Sequence, residues 1–461
     1  MENIQSQSSP PKDDIKLDKY RFVILLLVCL SSFPNLAMWD ALYPLQSKLQ
    51  DSYHVSFALV NFCTVVIQNV AYIPGTFLSS YIFDEIGIKT GVVIGGLFTL
   101  VGLWIRCLSR ISFYYIFLGH IIAGIGQPFA FNIPQKISSV WFGVNERVYA
   151  TTVIYISFNL AFSLSALLPQ SFVTDSDDNT QIIQQIYKMF LFMATASTTI
   201  YIPCFLFLKS KPPTPPAKAL FLEKQNYVQG IKTTFQRKNC LLFLLSVALN
   251  QAGSVSFDYV LQPLFQGFNF PYEIASDFYA TATFLTIPSS LIGAYLLTKT
   301  KKYRKTILAF SFLNSVYIIG TLFALLAQNR VLVGLYYCLV RCLLGPLFPL
   351  ILEFSVEIAF PVGEMTSGGI IAMAYEVMSI FSSLIADTVL NTINQKTSTL
   401  VFIFLAFICF IGAIIMIFVK EDLRRLKLDK EEGLISSAEE KSPEDSQTSA
   451  AQNNNILPRL N

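Results

Sequence analysis

Four ionisable side chains interrupt stretches of this sequence that are otherwise apolar, and their types point to one kind of chemistry. Glu376 is the sole charged residue between Met365 and Ala386, so neither end of that stretch brings it to water. Asp258 ends the charge-free run Asn239–Phe257, Asp40 follows the run Phe22–Trp39, and Arg341 breaks Val331–Leu352. An ionisable group in such a setting costs about 2.5–3.5 kcal/mol on insertion scales, so each needs a partner or a task. Aromatic rings accompany the acids: Trp39 precedes Asp40, and Phe257 and Tyr259 flank Asp258. Carboxylates beside aromatic faces suit an organic cation. Each good ring contact with a desolvated ammonium contributes roughly 2 kcal/mol, and the acid neutralises the charge. No nucleophile stands beside a base, no His/Cys/Asp/Glu set has metal-ligand spacing, and no phosphate-binding loop occurs. Neither catalytic residues nor a metal or other cofactor are therefore expected. The eight Cys lie in or beside apolar runs and read as buried or lipid-facing thiols.

These residues need a membrane-spanning scaffold. Of 461 residues, 53% are hydrophobic and 14% charged, against about 25% charged for a soluble domain. A soluble enzyme and a nucleic-acid binder are thereby disfavoured, and a net charge of +3 indicates no polyanionic partner. Ten long charge-free runs, from Phe22–Trp39 to Thr397–Val419, join the two runs broken by Arg341 and Glu376. Twelve segments of about the ~20 residues that a helix needs to cross a bilayer result. The expected class is an all-α integral membrane protein with twelve transmembrane helices in two six-helix bundles. Lys and Arg concentrate in the loops after even-numbered spans, such as Lys299, Lys301, Lys302, Arg304 and Lys305. The odd-numbered loops hold few: Lys48, Arg106, Arg110, Arg330 and Lys396. This bias places both termini in the cytoplasm. The divisions expected are a disordered 1–20, bundles at 21–208 and 240–419, a linker at 209–239 and a disordered tail at 420–461.

Corresponding positions of the two halves carry matching features. Asp40 lies 19 residues past Arg21, and Asp258 lies 20 past Lys238, which puts each ~28 Å along its helix. Both segments contain breakers: Pro34 and Pro44 in one, Gly253 and Pro263 in the other. Interrupted spans at matching places are a pointer to a transporter's binding site. After the second span comes Asp84-Glu-Ile-Gly87-Ile-Lys89. This acid–glycine–base loop resembles the loop between helices 2 and 3 of the major facilitator superfamily, where it would pair charges across the seam of the halves. Ordinary basic-loop composition also accounts for Asp84 and Lys89.

Several further segments resemble one branch of that superfamily, the feline leukaemia virus subgroup C receptor-related family (solute carrier family 49). They are Arg21-Phe-Val-Ile-Leu-Leu, Asn35-Leu-Ala-Met-Trp39, Ser138-Ser-Val-Trp141-Phe-Gly143 followed by Asn-Glu-Arg147, Glu353 to Glu364, and the Pro-rich 212–216. Together they spread over the whole membrane part. The resemblance implies a solute transporter, in a family associated with haem export and with choline and ethanolamine transport. It carries substrate-binding roles to Trp39 with Asn35, to Gln127, and with an uncertain register to Tyr259 or Asp258. The family's helix 11 glutamine falls on Glu376, so this chain departs towards negative charge. That departure leaves open proton coupling, a different cation such as a polyamine, or a cation-coupled solute.

The residues favour a small cation at the central site over haem. A haem asks for an iron ligand and basic groups at its propionates, whereas His54 and His120 are the only histidines. Lys188 and Arg341 stand as the candidate buried bases. The candidate binding residues are thus Trp39, Gln127, Asp258, Tyr259, Glu376, Asn35 and Asp40, with Asp84, Gly87 and Lys89 as a gating loop. Trp39 could equally belong to an interfacial belt, Asp40 could reach the surface, and Gln127 could join helices. The expected partners are a small-molecule substrate, organic cation or haem, and the lipid bilayer. No nucleic-acid partner is expected, and the sequence names no protein partner. The plasma membrane is the default location. A haem exporter is the alternative, and a non-transporting membrane receptor the alternative of another class.

Overall fold

The computed structural model describes residues 18–427, apart from 43–44, 57–58, 61, 144–145, 175–177, 215–225, 301 and 391. The expectations for residues 1–17 and 428–461 lie outside the described residues. Among the described residues, twelve helices are long and apolar enough to cross a membrane. They are α1 (Arg21–Asp40), α2 (Ile67–Tyr81, flanked by π-turns at Phe62–Val66 and Ile82–Ile86) and α3 (Ile88–Arg106). Next come α4 (Phe113–Phe131, continued by Ile133–Trp141), α5 (Arg147–Phe172) and α6 (Asn179–Phe207). The second half holds α7 (Lys238–Tyr259), α8 (Tyr272–Thr300), α9 (Tyr303–Leu326), α10 (Arg330–Ala359), α11 (Glu364–Val389) and α12 (Gln395–Phe418). Only helices and closed barrels satisfy every backbone polar group in lipid, which is why the apolar runs take this form.

Packing partners repeat between the halves. In the first, α1 packs on α5 and α6, α4 on α2 and α3, and α3 on α6; in the second, α7 packs on α11 and α12, α10 on α8 and α9, and α9 on α12. Hydrophobicity does not drive helices together inside lipid, so close approach and internal hydrogen bonds must. Both are present. A Cβ on Gly102 of α3 would lie 2.5 Å from the Gly119 carbonyl oxygen of α4. Asn35 of α1 donates to the Thr99 hydroxyl (2.8 Å) and the Ala123 carbonyl (3.2 Å). In α7, Asn250 donates to the Cys409 carbonyl (3.2 Å), and Asn314 of α9 donates to Ser254 (2.7 Å). Large side chains such as Leu97, Trp104, Leu206, Phe323 and Phe407 stand outward, as a lipid-facing surface requires.

The bundles meet along two helix pairs, α2 with α11 and α5 with α8. The linker expected at 209–239 contains a helix, Tyr227–Gln236, capped by the Asn226 side chain. Gly102→Val is expected to destabilise the first bundle by about 1–3 kcal/mol through overpacking. Thermal unfolding in detergent should show a lower Tm, with Leu97→Val, on the outward face, leaving Tm unchanged.

Candidate functional site

The pair α2 and α11 runs antiparallel through the middle of the molecule, and successive contacts set its register. Ser80 donates to the Met365 carbonyl (3.0 Å), Tyr72 packs with Ala372 and Tyr375, and Asn69 donates to Ser379 (3.4 Å). Glu376 therefore lies at the level of Asn69 and Tyr72, on the seam. It is buried, 5% exposed, and its Oε2 has no hydrogen-bond partner among the described residues. The Tyr375 and Ser379 hydroxyls stand beside its carboxyl.

Five rings gather at this level from helices of both bundles. Phe131 of α4 lies 5.3 Å from Phe348 of α10 and 5.9 Å from Tyr155 of α5, centroid to centroid. Phe348 lies 5.4 Å from Tyr155 and 5.3 Å from Tyr375, while Tyr72 meets Phe131 at 6.4 Å. The Tyr72 hydroxyl donates to Asn132 (2.8 Å). Gln127 lies one turn before Phe131 on α4, is 3% exposed, and leaves its Oε1 unpaired. The arrangement is a carboxylate beside a packed aromatic cluster to which α2, α4, α5, α10 and α11 all contribute. A carboxylate among aromatic faces can hold a desolvated cation.

The other sequence candidates are distributed differently. Trp39 and Asn35 turn into the first bundle: the indole N–H donates to Asn35 (3.4 Å) and the ring packs edge-on against His120 at 4.4 Å. Asp258 pairs with Arg341 and accepts from the Tyr337 hydroxyl (2.8 Å), so a cation does not have its carboxylate unshared. Arg341 also lies over the Tyr279 ring, 5.1 Å from its centroid. Tyr259 is half-buried at the end of α7. Asp40 closes α1, and its side chain lies outside the described residues. The expectation for buried bases needs correction: Lys188 is exposed, whereas Arg106, Lys136, Arg147 and Arg425 are buried. Arg106, assigned from the sequence to an outer loop, is fully buried at the end of α3, donating to the Met38 carbonyl (3.1 Å) and touching His120. Bases at span ends look like loop charges in a sequence, which hid it.

At the face where α1 begins, the seam is sealed by charge. Asp84 accepts from Lys136 of α4 (2.7 Å), from the Thr366 backbone N–H (2.9 Å) and hydroxyl (2.8 Å), and from the Met365 N–H (3.4 Å). It thus caps the first turn of α11, where unpaired N–H groups and the helix dipole favour an anion. Lys136 also reaches Glu364 (3.5 Å), and Arg425, beyond α12, approaches the same carboxylate at 4.0 Å. Glu353 of α10 accepts from Thr151 (2.6 Å) and Ser138 (3.0 Å) across the seam. The loop candidates divide here. Gly87 takes φ +133°, a turn that disfavours any side chain, while Lys89 is exposed and uses only its backbone N–H, to Ser210. The linker helix straps this face from below: the Tyr227 N–H bonds Glu85 (3.0 Å) and its hydroxyl donates to the Phe77 carbonyl (2.9 Å). Burial, and then the Asp84 charge, push the Tyr227 phenol up to about 12, so it remains a donor at neutral pH. Removing one partner of a buried pair leaves an uncompensated charge and is strongly destabilising. Lys136→Met is therefore expected to open this face, raising thiol labelling of a Ser80→Cys probe by about tenfold or more. Unchanged labelling would mean that the ion pairs do not hold the seal.

Comparison with known proteins places this geometry. The sequence profile of the Major Facilitator Superfamily matches residues 28–383. The chain is 25% identical over 452 residues to the human choline/ethanolamine transporter FLVCR2, covering 94% of this chain and 84% of that protein. It is 26% identical over 450 residues to mouse choline/ethanolamine transporter FLVCR1, covering 92% and 79%. Among solved structures, the proton:xylose symporter XylE superposes with a TM-score of 0.71 at 14% identity, over 89% of this chain and 98% of that one. The Escherichia coli fucose:proton symporter FucP gives 0.66 at 11% identity, over 86% and 99%. A matched profile over most of the chain, twelve spanning helices and two repeated bundles together make this chain a member of the Major Facilitator Superfamily.

Proposed function

We propose that the protein moves a small organic cation, such as choline or ethanolamine, across the membrane by alternating access, with the cation held at Glu376 between the bundles. The observation that carries this reading is the buried Glu376 Oε2, which has no hydrogen-bond partner among the described residues and lies beside rings from both halves. A carboxylate in a low-dielectric setting is stable only with a partner or a proton, and a substrate cation is such a partner. The transported substrates named for the FLVCR1 and FLVCR2 relatives are of this class. A site shared by two bundles is assembled and dismantled as they rock, which is what alternating access needs. The haem alternative finds less support, because His120 is packed between Arg106 and Trp39 inside the first bundle. In this reading the sealed face is cytoplasmic, from the basic-loop bias, and the plasma membrane is the working location.

The test is uptake of labelled choline and ethanolamine into vesicles containing the purified chain. Glu376→Gln is expected to abolish saturable uptake. Phe348→Ala is expected to raise KM by about tenfold or more, from a cation–π contact of roughly 2 kcal/mol. Uptake unaltered by both substitutions would remove the seam as the binding site, and absence of uptake by intact protein would overturn the cation reading.

A further inference from the structure

Four buried side-chain oxygens on the seam have no hydrogen-bond donor among the described residues: Gln68 Oε1, Asn69 Oδ1, Gln127 Oε1 and Glu376 Oε2. Their residues are 8%, 2%, 3% and 5% exposed. Asn69 and Glu376 lie within a turn of Tyr72 across the seam, Gln68 one turn before it, and Gln127 beside Gly75, one turn after it. Asn69 bonds Ser379, one turn beyond Glu376 on α11. Gln68 lies one turn before Tyr72, whose hydroxyl reaches Asn132 of α4, and Gln127 lies one turn before Phe131. The Asn69 amide nitrogen is already committed to Ser379, which leaves the amide oxygen as the free end. All four groups are acceptors. An aromatic enclosure alone would accept any cation of suitable size, and a quaternary ammonium best of all. Unpaired acceptors along the seam set a different requirement, since each buried acceptor left without a donor is unfavourable.

We infer, building on the cation reading above, that this site selects a primary ammonium over a quaternary one, by hydrogen bonds from the ammonium N–H groups to Gln68, Asn69, Gln127 and Glu376. A primary ammonium carries three N–H donors, and a hydroxyl on its chain adds a fourth. Four donors then meet four acceptors. A trimethylammonium of the same charge carries none on nitrogen, and its methyl groups would hold the oxygens apart from any donor. Sites built to hydrogen-bond a substrate N–H or O–H reject analogues that lack it far more strongly than apolar pockets reject a methyl group. The rings then serve as walls that exclude water, and the acceptors set the choice.

The test is a methylation series at constant charge. Ethanolamine, N-methylethanolamine, N,N-dimethylethanolamine and choline compete with labelled ethanolamine for the purified full-length chain in detergent. The expected result is a fall in affinity at each methyl, with ethanolamine bound about tenfold or more tighter than choline. Gln127→Leu should weaken ethanolamine more than choline, so the series becomes shallower. A merely structural role for Gln127 would weaken all four compounds alike. A flat or inverted wild-type series would overturn the selectivity while leaving a cation transporter. Binding of none of the four would overturn the cation reading as well. The wild-type series decides the matter even if Gln127→Leu does not fold.

Discussion

The antiparallel contact of α2 with α11 is the constraint on which the rest of the molecule depends. The two helices belong to different bundles, and their register is set at several points, from Ser80 with Met365, through Tyr72 with Ala372 and Tyr375, to Asn69 with Ser379. In lipid nothing apolar pulls two bundles together, so such a seam must be held by polar groups and close packing. Asp84 supplies much of this at one end, accepting donors from Lys136, Met365 and Thr366. One carboxylate thereby joins α4 and the start of α11. That leaves Glu376, farther along α11, with an Oε2 that has no hydrogen-bond partner among the described residues.

The two intramembrane acids nearest in type show how context separates structure from function. Asp258 and Glu376 are both carboxylates in apolar helices. Asp258 faces Arg341 and the Tyr337 hydroxyl within the second bundle, so its charge is met by the protein. Such a pair fastens α7 to α10. Glu376 lies on the seam with the other bundle, level with Asn69 and Tyr72 of α2. The first arrangement is complete within one half of the molecule. The second requires both halves, and its remaining valence is turned towards whatever lies between them.

The membrane architecture and Glu376 were legible in the sequence for the same reason. Lipid imposes a length and forbids charge, so a twenty-residue apolar run and the lone acid within it both stand out. Asp258 and Arg341 were visible as interruptions, though their pairing was not: that depends on how α7 and α10 are rotated. Lys136 and Arg106 were hidden because bases at span ends match ordinary loop composition. Asp84 could be singled out by its Gly87 turn, whereas its ion-pair partner Lys136 on α4 could not. The ring enclosure left no trace at all. Tyr72, Phe131, Tyr155, Phe348 and Tyr375 come from five helices, and among forty Phe and twenty-one Tyr nothing in spacing distinguishes them.

Seal and site share α11, and this couples them mechanically. Asp84 caps the first turn of α11, while Glu376 sits twelve residues later, ~18 Å along the same rigid helix. Opening the sealed face must break the Asp84 bonds to Thr366 and swing α11 away from α2. The same swing carries Glu376 and Tyr375 away from Tyr72 and Phe131, because those rings ride on the first bundle. A cation held between them would lose half of its contacts as the path opens, so release follows from the geometry of opening and needs no separate displacement. Conversely, a cation bridging Glu376 to the first bundle adds contacts that exist only while the seam is closed. A ligand shifts a conformational equilibrium only through such a difference in affinity. In the proposed cycle, Glu376 is therefore the group through which occupancy of the site would be communicated to the seal.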